Sequence, residues 1–526
     1  MCGPPGGSLA PVGSDLVAGL RMAMGIVSAG TILGVAELVS VPVGGSSAPL
    51  DAFGSAVVDN TPQDLREWVI GTFGTNDKLL LFAVMIAVAV GVAAAAGALE
   101  RRSRPLGSAL FVVFGVAGVL AACTRAHATW TSALPTLIGC VCGLVALRFL
   151  VRRAESEAVT ETDSAAPESA RIPRRRFLGG LVAVGTLAVA TGAAGRLLAA
   201  RARDVSGNRA AVRLPVPAEP AAPVPAAVEA VVPGPPPFVT PNSAFYRVDT
   251  ALTVPQLSTD DWRLRIHGMV DREITLTYAD LAARRPIERV LTMTCVSNPV
   301  GGNLIGTARW LGYRVADLLA EAGVRPGADM VLSTSIDDFT AGTPLSALTD
   351  GRDAMLAIGM NGEPLPIPHG FPARLVVPGL YGYLSATKWV IDLEVTRFDR
   401  ARGYWVRRGW AVTAPIKTEA RIDTPKSAAA LAAGPVAVAG IAWAQRRGVT
   451  AVEIQIDDGD WKPAQLSQEY SIDTWRQWVY RWDATPGKHT IRARATDATG
   501  AVQTAETRDT VPDGASGYPS ISVRVG

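Results

Sequence analysis

Long apolar runs in the first 200 positions constrain this 526-residue chain more than any other feature. A helix needs about 20 apolar residues to cross the hydrocarbon core of a bilayer. One run, KLLLFAVMIAVAVGVAAAAGAL, has no charge between Lys78 and Glu100, which argues against a buried helix of a soluble domain. We therefore predict an all-α transmembrane region over residues 1–200. Its five helices are expected at about 16–43, 78–99, 106–124, 133–151 and 177–200, and Glu37 interrupts the first of them.

The placement of arginine predicts an orientation, because Lys and Arg near the ends of spans tend to stay in the cytoplasm. Arg101, Arg102 and Arg104 lie between the second and third spans, and a larger group that includes 174–176 lies between the fourth and fifth. The chain after residue 200 is then expected on the extracytoplasmic side of the cell membrane. The stretch RRRFLGG at 174–180 resembles a twin-arginine export signal, although an ordinary positive-inside stop is the alternative.

Composition agrees with a membrane protein of several domains. Charged residues make up 18% of the chain, against about 25% in an average soluble domain. The hydrophobic fraction of 48% and the mean hydropathy of +0.23 exclude a disordered or collagen-like chain. The net charge of +3 is too small to imply a nucleic-acid partner.

Three further segments follow the membrane region and make the protein multi-domain. A linker is expected over 201–239. The overlapping stretch 214–241 contains ten prolines, a composition that favours extended polyproline II. This stretch is predicted to form either a stalk or a segment that wraps along a domain. Alternating strand and helix patterns over 240–400 predict a mixed α+β domain. After a connecting segment, 401–424, short strands with regular turns over 425–526 predict an immunoglobulin-like β-sandwich.

Cys295 is the only one of five cysteines that lies beyond the membrane region. A lone exported thiol serves reactivity, metal ligation or packing. Cys295 ends a strand-like run and begins a glycine-rich loop, where ligand chemistry is often built. His267 and His369 are the imidazoles of this domain, and they form neither a Cys-His protease pattern nor a zinc spacing. A metal whose other ligands come from a cofactor needs only one protein thiolate.

Two long stretches, MTCVSNPVGGNLIGTARWLGYRVADLLAEAG and DAMLAIGMNGEPLPIPHGFPARLVVPGLYGYLSATKWV, resemble the sulfite-oxidase family of molybdenum-cofactor enzymes. The resemblance covers about residues 238–526 and implies a membrane-anchored bacterial oxidoreductase with Mo-molybdopterin as its cofactor. It also implies that the C-terminal sandwich is of the dimerisation type. In that family the cysteine at the position of Cys295 ligates molybdenum, and a soft thiolate suits this ion.

The resemblance also implies which residues bind the cofactor. The segment TPNSAFYRVDT supplies pterin contacts, STSIDD supplies an acid, and PHGFPAR and ATKW supply phosphate and pterin ligands. A basic group of this kind holds a phosphate by charge-assisted hydrogen bonds. The implied cofactor-binding residues are Tyr246, Arg247, Cys295, Asp337, His369, Arg374, Ala386, Thr387 and Lys388.

The substrate side departs from sulfite oxidases. Where those enzymes place arginines after the cysteine, this chain has Pro299 and Val300, and where they carry a catalytic tyrosine it has Trp410. These replacements weaken the hypothesis of an anionic substrate. Arginines still occur nearby, so that hypothesis stays open. The candidate catalytic residues are Cys295, Arg309, Arg408 and Trp410. We rank the reduction of a small or protein-bound S- or N-oxide above sulfite oxidation.

The resemblance also bears on the partners of the chain. The sequence contains no segment that resembles the haem domain of animal sulfite oxidases, so electrons are expected to pass to or from a membrane quinone or a separate cytochrome. Membrane lipid and a second copy of the chain are the other expected partners. Two alternatives remain at this point: a cofactor-free surface binding protein with its immunoglobulin-like domain on a proline stalk, and a cysteine-nucleophile acyl transferase.

Overall fold

The computed structural model describes residues 12–44, 47–62, 65, 68–69, 72–73, 77–125, 128–162 and 171–526. The chain divides into two compact units, Met1–Asp204 and Val205–Gly526. We call them the helical unit and the site unit.

The helical unit contains the predicted apolar helices. Its helices are α1 (Val12–Val43), α2 (Pro49–Asn60), α3 (Asp77–Leu99), α4 (Leu106–Cys123), α5 (Leu134–Thr162) and α6 (Arg171–Arg203). Among the residues that the structure describes, five segments are long and apolar enough to cross a membrane: Ala18–Val43, Lys78–Leu99, Leu106–Cys123, Trp130–Glu155 and Leu178–Ala211. They correspond to the five predicted runs. Helix α2 lies in a stretch for which no helix is predicted, and the side chains of the twin-arginine stretch up to residue 177 lie outside the description.

Helix α1 packs against α3, α5 and α6. The contact with α3 is close because glycines face each other. A Cβ added to Gly97 would lie 2.0 Å from the carbonyl oxygen of Arg21, and one added to Gly25 would meet the α3 backbone. Small residues allow such backbone approach between apolar helices. At the end of α3, the buried carboxylate of Glu100 accepts hydrogen bonds from Ser108.

The proline-rich segment of the site unit follows helix α7 (Ser206–Ala211) and lies along the domains that come after it. We call residues 214–238 the strap. Its Ala218 N–H donates to Pro286 O at 2.8 Å, and Trp475 Nε1 donates to Phe238 O at 3.1 Å. The side chain of Phe238 is 1% exposed. Of the two predicted arrangements, the strap therefore adopts the one in which it wraps along a domain.

The mixed domain contains two five-stranded sheets. Its strands are β1 (Arg263–Gly268), β2 (Ile274–Thr277), β3 (Ile287–Thr294), β4 (Ile305–Arg314), β5 (Met330–Ser335), β6 (Thr340–Pro344), β7 (Met355–Met360), β8 (Glu363–Pro364), β9 (Arg374–Val376) and β10 (Val390–Thr396). One sheet has the order β2-β1-β10-β5-β6. The other has the order β3-β4-β7-β8, with β9 paired to β7. Short helices α8 (Tyr278–Leu281), α9 (Val315–Ala322), α10 (Leu345–Thr349) and α11 (Gly382–Ser385) connect the strands.

The C-terminal part contains two sheets that share a core. Its strands are β11 (Glu419–Thr424), β12 (Ala430–Leu431), β13 (Gly434–Trp443), β14 (Val449–Ile456), β15 (Lys462–Pro463), β16 (Gln465–Leu466), β17 (Arg476–Ala484), β18 (Gly487–Asp497) and β19 (Ser520–Val525). The sheet orders are β11-β13-β17-β16 and β12-β19-β18-β14-β15. Val438 and Trp478 from one sheet pack with Ile454 and Ile491 from the other. A two-sheet sandwich is thus present, and its immunoglobulin-like character stays a prediction.

Strand β11 lies within the stretch predicted as a connection between domains. The reason is chemical: Arg421 and Asp423 are buried in this strand and form an ion pair at 2.9 Å. A buried face made of paired charges lacks the apolar alternation that identifies a strand in a sequence.

Candidate active site

A cleft in the site unit brings most of the predicted site residues together. Tyr246, Arg247, Cys295, Asp337, His369, Arg374, Ala386, Lys388 and Trp410 all line it. These residues come from the segment after the strap, from the ends of β3 and β5, from β9, and from the loops before β10 and β11. The convergence of loops and strand ends is what a binding site requires.

Cys295 is held by the loop that follows β3. Its N–H donates to Leu304 O at 2.9 Å, and the Leu304 N–H donates to Asn298 Oδ1 at 2.8 Å, so both ends of the loop are fixed. The Cys295 residue is 8% exposed. Burial raises the pKa of its thiol, while hydrogen bonds from the N–H and hydroxyl of Ser297 act in the opposite direction. The thiolate form of Cys295 therefore has two hydrogen-bond donors in the cleft, both from Ser297.

Arg374 carries a buried positive charge at the first position of β9. It is 5% exposed and donates to the carbonyl oxygens of His369 and Ala386 at 3.1 and 3.3 Å. Within the described part of the chain, no carboxylate pairs with it. Burial lowers its pKa to about 10, so it remains a cation at neutral pH. A buried cation without an acidic partner is costly unless an anion is bound.

His369 and Lys388 adjoin Arg374. Burial, together with the charges of Arg374 and Lys388, lowers the pKa of His369 to about 4, so its imidazole is neutral at pH 7. Its Nε2 lies 3.2 Å from Asn242 O. Burial lowers the pKa of Lys388 to about 8, and the ammonium remains mostly charged at pH 7.

Asp249 is a cleft residue that sequence reasoning missed. Its carboxylate accepts from Lys388 Nζ at 2.7 Å and from Arg247 Nε at 2.8 Å. The nearby Asp337 has a raised pKa, mainly because of burial and in part because of the Asp249 charge. The only local signal for Asp249 is an acid two positions after an arginine, which is common on protein surfaces.

The side of the cleft next to Cys295 is aromatic. Val296 belongs to the same apolar cluster as Tyr383, Trp405 and Trp410. The Trp410 ring lies 5.7 Å from that of Tyr383 and 6.2 Å from that of Trp405. Tyr383 lies in one of the quoted motifs and Trp405 lies outside them, and the role of each as a lining residue needs the fold.

Three predicted residues do not line the cleft, among those that the structure describes. Arg309 is ion-paired with Glu288 at 2.8 Å. The guanidinium of Arg408 lies 3.5 Å above the Tyr404 ring. Thr387 is buried behind the cleft, where its hydroxyl lies 2.7 Å from that of Ser333. Thr387 thus packs behind the residues that line the cleft and does not line it itself.

The residues of the cleft fit a molybdenum-pterin cofactor with a phosphate. Cys295 offers one thiol ligand, and a soft thiolate is suited to such an ion. Arg374, Lys388 and the neutral His369 offer donors and positive charge for a phosphate. The buried guanidinium without a carboxylate partner is the observation that favours an anionic ligand most directly.

Comparison with known proteins agrees with this fit. Residues 251–405 match the family described as oxidoreductase molybdopterin binding domain. The chain is 30% identical over 293 residues to the sulfite oxidase of Gallus gallus, which covers 47% of this chain and 63% of that protein. It is 33% identical over 149 residues to the uncharacterized oxidoreductase YuiH of Bacillus subtilis (strain 168), which covers 28% of this chain and 72% of that protein.

The chain spans between half and two thirds of the length of the vertebrate sulfite oxidases that it matches. Among solved structures, the sulfane dehydrogenase SoxCD from Paracoccus pantotrophus is 24% identical, with coverage of 57% of this chain and 83% of that one and a TM-score of 0.48. The alternatives of a cofactor-free binding protein and of an acyl transferase are set aside, because the matching domain is a cofactor-binding one. Cys295, Arg374 and Lys388 all lie within the matching residues 251–405. The chain belongs to the sulfite-oxidase family of molybdenum-cofactor oxidoreductases.

Proposed function

We propose that this enzyme is anchored in the cell membrane, faces outward, and transfers an oxygen atom to or from a neutral substrate, with reduction of an S- or N-oxide as the preferred direction. The observation that carries this proposal is the aromatic wall next to Cys295. Tyr383, Trp405 and Trp410 line the cleft there, whereas Arg309 and Arg408 are engaged elsewhere. An apolar wall binds the uncharged body of a substrate, and it offers little to compensate the charge of a sulfite dianion.

The cofactor supplies two-electron oxygen-atom transfer when it is bound through Cys295. The chain's own residues position and shield this chemistry. Arg374 and Lys388 would hold the phosphate, and Ser297 keeps the thiol of Cys295 oriented through its two hydrogen bonds. The rings of Trp405 and Trp410 exclude water from the substrate side, which strengthens every polar contact inside the cleft.

Steady-state assays test the choice of substrate. We expect the purified holoenzyme to reduce methionine sulfoxide or trimethylamine N-oxide with a reduced viologen dye as electron donor. Its kcat/KM for these substrates should exceed that for sulfite oxidation with an artificial acceptor. Faster turnover of sulfite than of any oxide would reverse the ranking.

A pair of cysteine variants links that activity to the cleft. Cys295→Ser should lower turnover by at least about a hundredfold, because a hydroxyl is a poor ligand for a soft metal. Cys123→Ser, at the last residue of α4, should leave turnover unchanged. Activity retained in Cys295→Ser would contradict the assignment of the thiol.

Sulfite-type oxidation is the second candidate. It is favoured by the identity with named sulfite oxidases and by Arg408, which is close in sequence to the cleft residues Trp405 and Trp410. If Arg408 served an anion, Arg408→Met should raise KM for sulfite while leaving KM for methionine sulfoxide unchanged.

Anchoring and orientation rest on the five apolar helices and on the arginine-rich loops. Alkaline phosphatase fused after residue 211 should be active, and the same reporter fused in the loop near Arg102 should be inactive. The opposite pattern would contradict an outward-facing site unit. We further propose that a membrane quinone or a cytochrome exchanges electrons with the enzyme, and that lipid and a second copy of the chain are its other partners.

A further inference from the structure

The phosphate side of the cleft contains a buried carboxylate among its cations. The side chain of Asp249 is 4% exposed. Its Oδ2 accepts from Lys388 Nζ at 2.7 Å and from Arg247 Nε at 2.8 Å. Lys388, whose side chain is 9% exposed, has one other acceptor in the description, Pro368 O at 3.1 Å.

We propose that Asp249 is an internal counter-ion of the phosphate pocket. Its carboxylate pairs with both Lys388 and Arg247, and it competes with the cofactor's phosphate, and with free inorganic phosphate, for the same two cations. This inference rests on the assignment of Arg374 and Lys388 to the phosphate. It is independent of the proposed substrate and of the proposed membrane orientation.

Charge explains why such a residue is useful. Arg247, Arg374 and Lys388 place three positive charges around the neutral His369. Arg374 and Lys388 are buried and Arg247 is partly exposed, and buried like charges oppose folding when nothing compensates them. In the absence of a phosphate, the Asp249 carboxylate bridges two of these cations and offsets one of the three positive charges. The same negative charge repels a bound phosphate, and at an effective dielectric of about 20 this weakens binding on the order of tenfold or more.

The consequence is selectivity between two ligands that share a phosphate. A molybdopterin also has its thiol-bound metal and its pterin ring to hold it, so it tolerates the repulsion. Inorganic phosphate has no other contact and is held weakly. Asp249 thus keeps an abundant small anion from occupying the pocket.

The test uses the cofactor-free full chain, made in a host that lacks molybdopterin and purified in detergent. Inorganic phosphate is titrated at pH 6.5, below the Lys388 pKa of about 8, and binding is followed by calorimetry. We expect Asp249→Asn to bind phosphate about tenfold or more tightly than the unmodified chain. Without phosphate, the same variant should unfold at a lower temperature, because Lys388 loses its partner.

Asp399→Asn is the matched control. Arg397 and Asp399 form the same two-residue pair, at 2.8 Å, on the surface of the site unit. This variant should change neither phosphate affinity nor unfolding temperature. If Asp249→Asn does not fold by itself, phosphate added during purification should restore its folded yield, and an absence of rescue counts against the proposal.

Equal or weaker phosphate binding by Asp249→Asn would overturn the proposal and show that Asp249 is a positioning residue instead. Arg374→Met should remove the phosphate response, and a response that persists in Arg374→Met would place phosphate elsewhere. In a host that makes the cofactor, the pterin content of Asp249→Asn should equal or exceed that of the unmodified chain. Normal pterin content without a phosphate effect would leave the cofactor assignment intact while removing the counter-ion role.

Discussion

We expect single side chains of the cleft to serve a ligand rather than the stability of the chain. Arg374 illustrates this, because its buried guanidinium donates hydrogen bonds only to carbonyl oxygens in the described structure. Natural proteins retain such a group when a bound partner compensates it. Stability and ligand binding should therefore respond in opposite directions to its removal.

For Arg374→Met, we expect the cofactor-free chain to gain about 1–3 kcal/mol in unfolding free energy and the pterin content of the loaded enzyme to fall sharply. Denaturant unfolding and the fluorescence of the oxidised pterin measure the two effects. The control is Arg309→Met, which removes a paired arginine outside the cleft and should leave pterin content unchanged. A loss of stability in Arg374→Met would contradict the strain that we ascribe to this residue.

His369 predicts a pH dependence for the cofactor-free chain. Its pKa is about 4 in the folded state, because of burial and neighbouring cations, against 6.5 for an exposed imidazole. The unfolded chain therefore takes up the proton first as pH falls. Unfolding free energy should be greatest above pH 6.5 and should decrease by about 3 kcal/mol toward pH 4 on account of this residue. His369→Gln should remove that part of the slope, and parallel slopes for the two chains would contradict it.

Residue identities in the site were predictable where a motif carries them and were not where the fold does. Cys295, His369, Arg374 and Lys388 belong to long quoted motifs. Asp249 reaches Lys388 across 139 positions, and no local pattern marks that pairing. Arg309 lies on β4 within a matching stretch, yet its side chain is ion-paired away from the cleft.

At the level of elements, the strap is irregular and is still anchored by hydrogen bonds to residues distant in sequence. Residues 214–238 lack long helices and strands, because ten prolines between 214 and 241 remove donors and fix φ. Side chains from the sandwich supply hydrogen bonds to it instead. Composition predicted a segment that builds neither a long helix nor a sheet, but the choice between a stalk and a wrapped strap depended on partners such as Trp475, distant in sequence.

Two positions in the strap give a matched test. Phe238 is 1% exposed and Val231 is 98% exposed. Phe238→Ala should lower the unfolding free energy of the site unit by about 3–5 kcal/mol, whereas Val231→Ala should have almost no effect. Thermal unfolding and limited proteolysis of the strap measure both. Equal stability of the two variants would mean that the strap contributes little to the fold.

Two glycines of α3 give a similar pair in the helical unit. A Cβ at Gly97 would collide with the α1 backbone, whereas one at Gly91 meets nothing within 4 Å. Gly97→Ala should therefore weaken the packing of α1 on α3. Gly91→Ala should be neutral or stabilise the helix by up to about 1 kcal/mol. Unfolding in detergent, followed by circular dichroism, compares them, and a destabilised Gly91→Ala with an unaffected Gly97→Ala would refute the contact.

Across the whole molecule, charge separates the two units. The apolar helices account for the low charged fraction of the chain, while the site unit holds the ion pairs that surround the cleft. Hydrophobic patterning was sufficient for the five apolar helices because each run is long and contains few charged residues. It was insufficient for the start of the sandwich, where β11 buries Arg421 against Asp423.

The strap also fixes the order in which the site unit is completed during synthesis. Tyr470 donates to Ala222 O and Gln477 to Pro236 O, and these bonds join positions 248 and 241 residues apart. The strap leaves the ribosome long before the residues that receive it exist. Until then Phe238 is not covered by Trp475, and its apolar side chain is accessible to chaperones and proteases. The N-terminal edge of the site unit is therefore among the last parts of it to become native.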